Sequence, residues 1–144
     1  MTVGAELREL AERYAAAVDR ADAAAVAQLF TPDGELVLFM QPGAAEPTGI
    51  RRGRAEIETA LGALSSYRAT HHTISSHVVT SVDGDTATAE TRCAAHHVET
   101  EGDGWRDRVL YATYTDTCRR TEAGWQFVRR QLRVQWVSLL PVDG

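Results

Sequence analysis

The sequence predicts an α+β fold, with helices first and a bent antiparallel sheet after them. Three observations carry that expectation. Apolar residues recur at helical spacing only as far as Leu64. From Thr70 onward apolar or small residues alternate with polar ones, which is the period of a strand. That second part is divided by three turns, at Asp83-Gly84-Asp85, Glu101 to Gly104 and Glu122-Ala123-Gly124. Helices followed by a meander are the mark of α+β layering.

The elements follow in order. Leu7, Leu10, Tyr14, Ala17 and Val18 form an apolar stripe between Arg8, Glu9, Glu12 and Arg13, an amphipathic helix. Asp19 to Asp22 interrupts it. Asp22 is placed to N-cap a second short helix carrying Val26, Leu29 and Phe30. Thr31-Pro32-Asp33-Gly34 should stop that helix, because Pro cannot continue it and Asp-Gly favours a turn. Leu36 to Met40 is an apolar run of strand length. Gln41 to Thr48 reads as a loop, and Arg54 to Leu64 as a third helix with Ile57, Leu61 and Leu64 on one face. Four long strands are expected after it: His71–Val82, Thr86–Glu99, Trp105–Arg120 and Trp125–Val137. Strands this long, joined by tight hairpins, should bend at bulges.

The 144 residues are the usual size of one domain, expected to span 1–144. Apolar residues make up 44% and the net charge is −5. An acidic chain argues against nucleic acid and against an anionic membrane surface as partners. No apolar stretch is long enough to span a membrane, and Met1 to Arg8 lacks a leader pattern, so a cytoplasmic location is expected. Two cysteines, Cys93 and Cys118, read as buried apolar residues rather than a disulfide framework.

Several strings then point to a family. Tyr14-x4-Asp19 with Leu29-Phe30-x2-Asp33-Gly34, Gly49-Ile50-Arg51-Arg52-Gly53 before Ile57, and His72-Thr73-Ile74-Ser75-Ser76 before Val82-Asp83-Gly84-Asp85-Thr86-Ala87 are three of them. Tyr114-x-Asp116 with Gly124-Trp125-x-Phe127-x2-Arg130 is the fourth. Together they resemble the SnoaL-like branch of the NTF2-like superfamily. The resemblance implies a cone-shaped fold: a curved sheet and three N-terminal helices enclosing a pocket. Within the branch the pattern resembles scytalone dehydratase, bile-acid dehydratase and hexachlorocyclohexane dehydrochlorinase. Those enzymes eliminate water or chloride with an Asp–His dyad. The resemblance implies Asp19 and His72 for that dyad, with His71 beside it as the alternative.

The residues themselves narrow the choice. All five histidines, His71, His72, His77, His96 and His97, fall on the first two long strands. Side chains alternate faces along a strand. On the second long strand the small set Ala87, Ala89, Thr91, Cys93 and Ala95 should face the core, carrying His97 inward and His96 outward. On the first, His72, Ile74, Ser76 and Val78 should share the inner face. An imidazole held by a carboxylate is a base suited to neutral pH. Tyr14 or His97 could assist the leaving group. Phe39, Tyr114, Arg130 and Trp136, with His71, complete the expected substrate contacts.

Two functions from different classes remain. One is a cofactor-independent lyase or isomerase, of dehydratase or polyketide-cyclase type, acting on a small, mostly apolar substrate. The other is a non-catalytic pocket or dimerisation module. Helical His-x3-His and paired Cys spacings are absent, so no metal and no cofactor is assigned. A two-fold homodimer is expected, since short helices cannot cover both faces of a long sheet.

Overall fold

The structure, a computed structural model, describes residues 1–144. Helix α1 (Val3–Asp19) starts where the Thr2 hydroxyl accepts the Ala5 N–H at 3.1 Å. Its buried stripe is Leu7, Leu10, Ala11, Tyr14, Ala17 and Val18. Its exposed face carries two ion pairs at i,i+4, Arg8 with Glu12 and Glu9 with Arg13, each at 3.0 Å. Asp22 caps α2 (Ala23–Gln28) by accepting the Ala25 N–H at 3.0 Å.

Six strands follow: β1 (Phe30–Phe39), β2 (Gly49–Arg52), β3 (Ala69–Asp83), β4 (Thr86–Glu101), β5 (Gly104–Thr121) and β6 (Gly124–Val142). They form one curved, unclosed sheet in the order β2-β1-β6-β5-β4-β3. Helix α3 (Gly53–Gly62) and a 3₁₀ turn, Ala63–Ser66, lie between β2 and β3. Every neighbouring pair is antiparallel except β1 with β6, which run parallel. The chain reaches that joint through the whole meander, so no hairpin dictates its direction.

Three local expectations are corrected. Thr31 to Gly34 does not form a turn outside the sheet but belongs to β1, in an irregular stretch between Phe30 and Glu35. A bulge lets Pro32 sit in a strand without owing a ladder hydrogen bond. Gly34 is required there: a Cβ would come within 3.0 Å of the Phe30 Cβ and the Thr31 carbonyl oxygen. Arg54 then ties α3 to this strand, donating to the Phe30 carbonyl from Nε at 3.0 Å and Nη2 at 2.8 Å. Gly49 to Arg52 is a short strand on the edge of the sheet rather than only the lead-in to α3. The helix expected to run to Leu64 becomes 3₁₀ from Ala63.

The long strands bend at bulges. Register shifts occur on β3/β4 at Ile74–Ser76 and Val79–Ser81, and on β5/β6 at Tyr111–Ala112 and Thr117–Cys118. The concave face holds the core, where α1, α2 and α3 lay Leu7, Leu10, Val26 and Ile57 against Phe30 and Phe127. Each such side chain, fully buried, contributes about 1.5–3 kcal/mol relative to exposure.

Candidate active site

Strand β4 runs without a bulge against β5, so its alternation is strict. Ala87, Ala89, Thr91, Cys93, Ala95 and His97 are all buried on the concave face. His96 points to the convex face. On β3, His72 and Ile74 also face inward. The bulge after Ile74 then reverses the parity: His77 and Val79 turn inward and Val78 is 57% exposed. The expectation that Ser76 and Val78 share the face of His72 is therefore corrected. His71 and His72 are unaffected, because they precede the bulge.

The end of α1 meets β3 beside His72. The Asp19 carboxylate accepts from the Thr70 hydroxyl at 3.0 Å, from the His72 backbone N–H at 2.8 Å and from the His72 ring Nδ1 at 2.7 Å. β3 is an edge strand, so Asp19 also satisfies an edge donor that no neighbouring strand can reach. The His72 side chain is only 6% exposed. Burial pushes the Asp19 carboxyl up, but its bonds to the His72 ring and backbone, the His72 charge and the Thr70 hydroxyl outweigh that and hold it below its ordinary value. The carboxylate stays ionised and accepts only, so His72 presents its Nδ1–H to it.

In front of His72 lies a cavity of about 130 Å³. Thirteen of its fifteen lining residues are hydrophobic, and the two others are His72 and His97. Leu36, Leu38, Leu61, Leu110 and Leu132 form much of the apolar wall, and Tyr14 and Tyr114 bring phenols to it. Asp19 stands behind His72, outside this cavity. The His72 and His97 rings meet edge-on at 5.7 Å between centroids. Nδ1 of His97 lies 3.3 Å from the Arg108 carbonyl, and its backbone N–H donates to Asp107 at 3.2 Å. Burial, followed by the neighbouring His72, pushes the His97 imidazole down from its ordinary value. Tyr14 and Tyr114 are buried and raised, burial being the main cause, so both phenols keep their protons.

Arg130 lies deeper. It and Asp116 are each 1% exposed and pair at 3.0 Å. The guanidinium stacks on Tyr114 at 3.7 Å and on Tyr14 at 4.2 Å. It props the phenol wall from behind and does not line the main cavity.

Besides Arg130, three residues expected among the substrate contacts lie elsewhere. His71 is exposed on the convex face, its ring 6.3 Å from that of His96. Phe39 alternates with the cavity-lining Leu38 and Met40, so it faces away, covered by the Arg133 guanidinium at 3.9 Å. Trp136 is 55% exposed and stacks on Tyr111 at 4.7 Å, also on the convex side. Sequence reasoning missed Thr70, which steadies Asp19, and Tyr67, whose ring sits 5.0 Å from His97. It also missed Asp107, which accepts from His96 Nδ1 at 2.5 Å. Nothing in their local patterns set these three apart. Cys93, pushed up to about 11 by burial, is an inert thiol at neutral pH. No group of three or more His, Cys, Asp or Glu side chains is gathered to hold a metal ion.

The geometry has clear relatives. Residues 2–131 match the SnoaL-like domain family. No curated protein matches the chain. Among solved structures, an NTF2-like protein with a cystatin-like fold from Novosphingobium aromaticivorans is 31% identical. The match covers 90% of this chain and 80% of that one, with a TM-score of 0.69. A scytalone dehydratase candidate from the same organism is 24% identical over 93% of this chain and 85% of that one, at a TM-score of 0.79. A type 2 hexachlorocyclohexane dehydrochlorinase is 17% identical over 97% and 88%, at 0.78. The last two are likenesses of fold. With the family matched over nearly its whole length, this chain belongs to the SnoaL-like domain family.

Proposed function

We propose that the protein is a cofactor-independent lyase or isomerase acting on a small, ring-sized substrate with a carbonyl. The observation that carries the reading is the Asp19–His72 pair at 2.7 Å, whose imidazole lines a cavity that is otherwise walled by hydrophobic residues and His97. His72 Nε2 takes a proton from the carbon next to the carbonyl. The electron pair left behind forms a C=C bond as the C–O bond at the next carbon breaks. The departing oxygen takes the Tyr14 phenolic proton and leaves as water, and the His72 proton returns to the Tyr14 oxygen. Isomerisation uses the same abstraction and returns the proton to a different carbon. Asp19 stabilises the imidazolium formed midway, and the apolar wall excludes competing water. A proton transfer of this kind needs no cofactor.

The reading extends to a cytoplasmic protein whose single domain pairs through its convex sheet face as a two-fold homodimer. Conversion of 3-hydroxycyclohexanone to cyclohex-2-enone and water tests the chemistry. The expected result is enone formation well above the buffer rate. No acceleration, with the same compound bound in the cavity, would overturn the lyase reading in favour of a non-catalytic binding module.

A further inference from the structure

Next to the cavity is a stretch of the concave face that the helices leave bare. Strands β4 and β5 pair there without a register shift, and β5 and β6 pair without one from Trp105 to Tyr111. Side chains two apart on these strands therefore share a face. Leu110 and His97 line the cavity. Arg108 lies opposite His97, Val137 opposite Leu110 and Leu139 opposite Arg108, so all three face the same side as the cavity. Val137 and Leu139 are nevertheless 37% and 52% exposed. They carry the apolar wall outward past Leu110, with one cation beside them. The direct cross-strand neighbours of Arg108 are an imidazole and a leucine, and neither brings it a negative charge. Its ionic partner is the diagonal Glu99 at 3.6 Å, and it makes no polar contact shorter than that. The Glu99 carboxylate is already held by Arg106 Nε at 2.7 Å. Arg106 also reaches Glu101 at 3.4 Å, so it takes up both acidic neighbours and leaves Arg108 available.

We propose that the substrate carries a carboxylate: its ring enters the cavity, a short carbon chain lies on Val137 and Leu139, and the carboxylate binds the Arg108 guanidinium outside. This deepens the lyase or isomerase reading, on which it rests for the ring in the cavity, by naming the charged group the substrate holds away from its reacting carbon. Leu110 and Arg108 are two residues apart, about 7 Å along the strand. Two or three carbons between ring and carboxylate span that distance. A guanidinium presents its N–H groups as a fork that matches a carboxylate, and such pairing is stronger than the loose contact with Glu99. The chain's net charge of −5 disfavours anions over its surface at large. A preference for a carboxylate must then come from this one cation. The carboxylate takes no part in the proton transfer, so Arg108 sets specificity and leaves the chemistry to His72.

Calorimetric titration with 3-phenylpropanoate and 3-phenylpropanamide tests this, because the two share ring, chain and shape and differ in charge. The wild-type protein should bind the carboxylate about fivefold more tightly than the amide, the upper range for a partly exposed ion pair. In Arg108→Gln that difference should vanish while the amide still binds. The variant keeps the backbone carbonyl that faces His97 Nδ1. Arg92→Gln removes an equal charge from the convex face of β4 and should leave the preference intact. Equal affinities in the wild type, no binding of either compound, a preference that survives Arg108→Gln, or one that is lost in Arg92→Gln would each overturn the proposal. Enone formation from 3-hydroxycyclohexanone alongside equal affinities would overturn it and leave the lyase reading standing. A preference that depends on Arg108, with no enone formed, would uphold the carboxylate site and remove the lyase reading.

Discussion

The bonds gathered on Asp19 differ in what replaces them when the carboxylate is lost. The Thr70 hydroxyl can turn to water, but the His72 backbone N–H and ring Nδ1 lie on a half-buried edge. In Asp19→Asn the amide oxygen can keep one of them, and its NH₂ opposes the other. With Asp19 itself partly exposed, the expected stability loss is about 1–2 kcal/mol at neutral pH. Turnover should fall far more, roughly a thousandfold, because an amide cannot stabilise an imidazolium. The pH dependence has a definite sign. The folded carboxyl lies below its ordinary value, so its contribution is complete above the unfolded pKa and is lost as pH falls through the folded one. The gap in melting temperature between wild type and Asp19→Asn should therefore narrow on acidification. A gap that widens would assign the stability to some other group.

At the scale of elements, the turn after α1 fixes where Asp19 points. The Asp22 N–H reaches the Ala17 carbonyl and the Ala21 N–H reaches that of Val18, both at 2.9 Å. This is a Schellman closure, and it puts Ala21 at φ 57°, where glycine is the favoured residue. Relief of left-handed strain exceeds the extra chain entropy of glycine. Ala21→Gly should thus stabilise the protein by about 0.5–1 kcal/mol in urea melts, with the Asp19–His72 pair undisturbed. A destabilised variant would contradict the assigned turn. The same scale explains what was legible in the sequence. β4 could be read residue by residue, because its small side chains alternate and its register against β5 never slips. The inward choice of His72 rests on a face shared by His72, Ile74, Ser76 and Val78, and it holds because His72 and Ile74 precede the bulge. The faces of Ser76 and Val78 could not be read, because no Gly or Pro marks the bulge after Ile74. The strand through Pro32 and Gly34 was hidden by residues that ordinarily end elements. The parallel joint of β1 with β6 joins segments far apart in sequence, and no local pattern encodes it. Phe39 and Trp136 have the chemistry of pocket residues, and only the pleat and the β5/β6 bulge send them to the other face.

On the whole molecule, the two faces of the sheet divide the work. The concave face is covered by helices and holds the cavity. The convex face is left with Val78, Trp136 and Leu140 exposed, and Trp136 stacks there on Tyr111. Exposed apolar side chains on an uncovered sheet face are where a second copy would sit under two-fold symmetry. Trp136→Glu should convert the sedimenting species at micromolar concentration from dimer to monomer. A wild-type monomer under the same conditions would remove the assembly from the account. The division also predicts that chemistry and assembly respond to different substitutions, because Asp19 and His72 lie on the concave side with Tyr14. The most direct test of that centre is the rate of cyclohex-2-enone formation from 3-hydroxycyclohexanone by wild type and His72→Ala, with both melting temperatures recorded. The dyad predicts enzyme-dependent turnover in the wild type, and its loss to the buffer rate in a His72→Ala protein that still melts cooperatively. Equal turnover in a folded His72→Ala protein would contradict it.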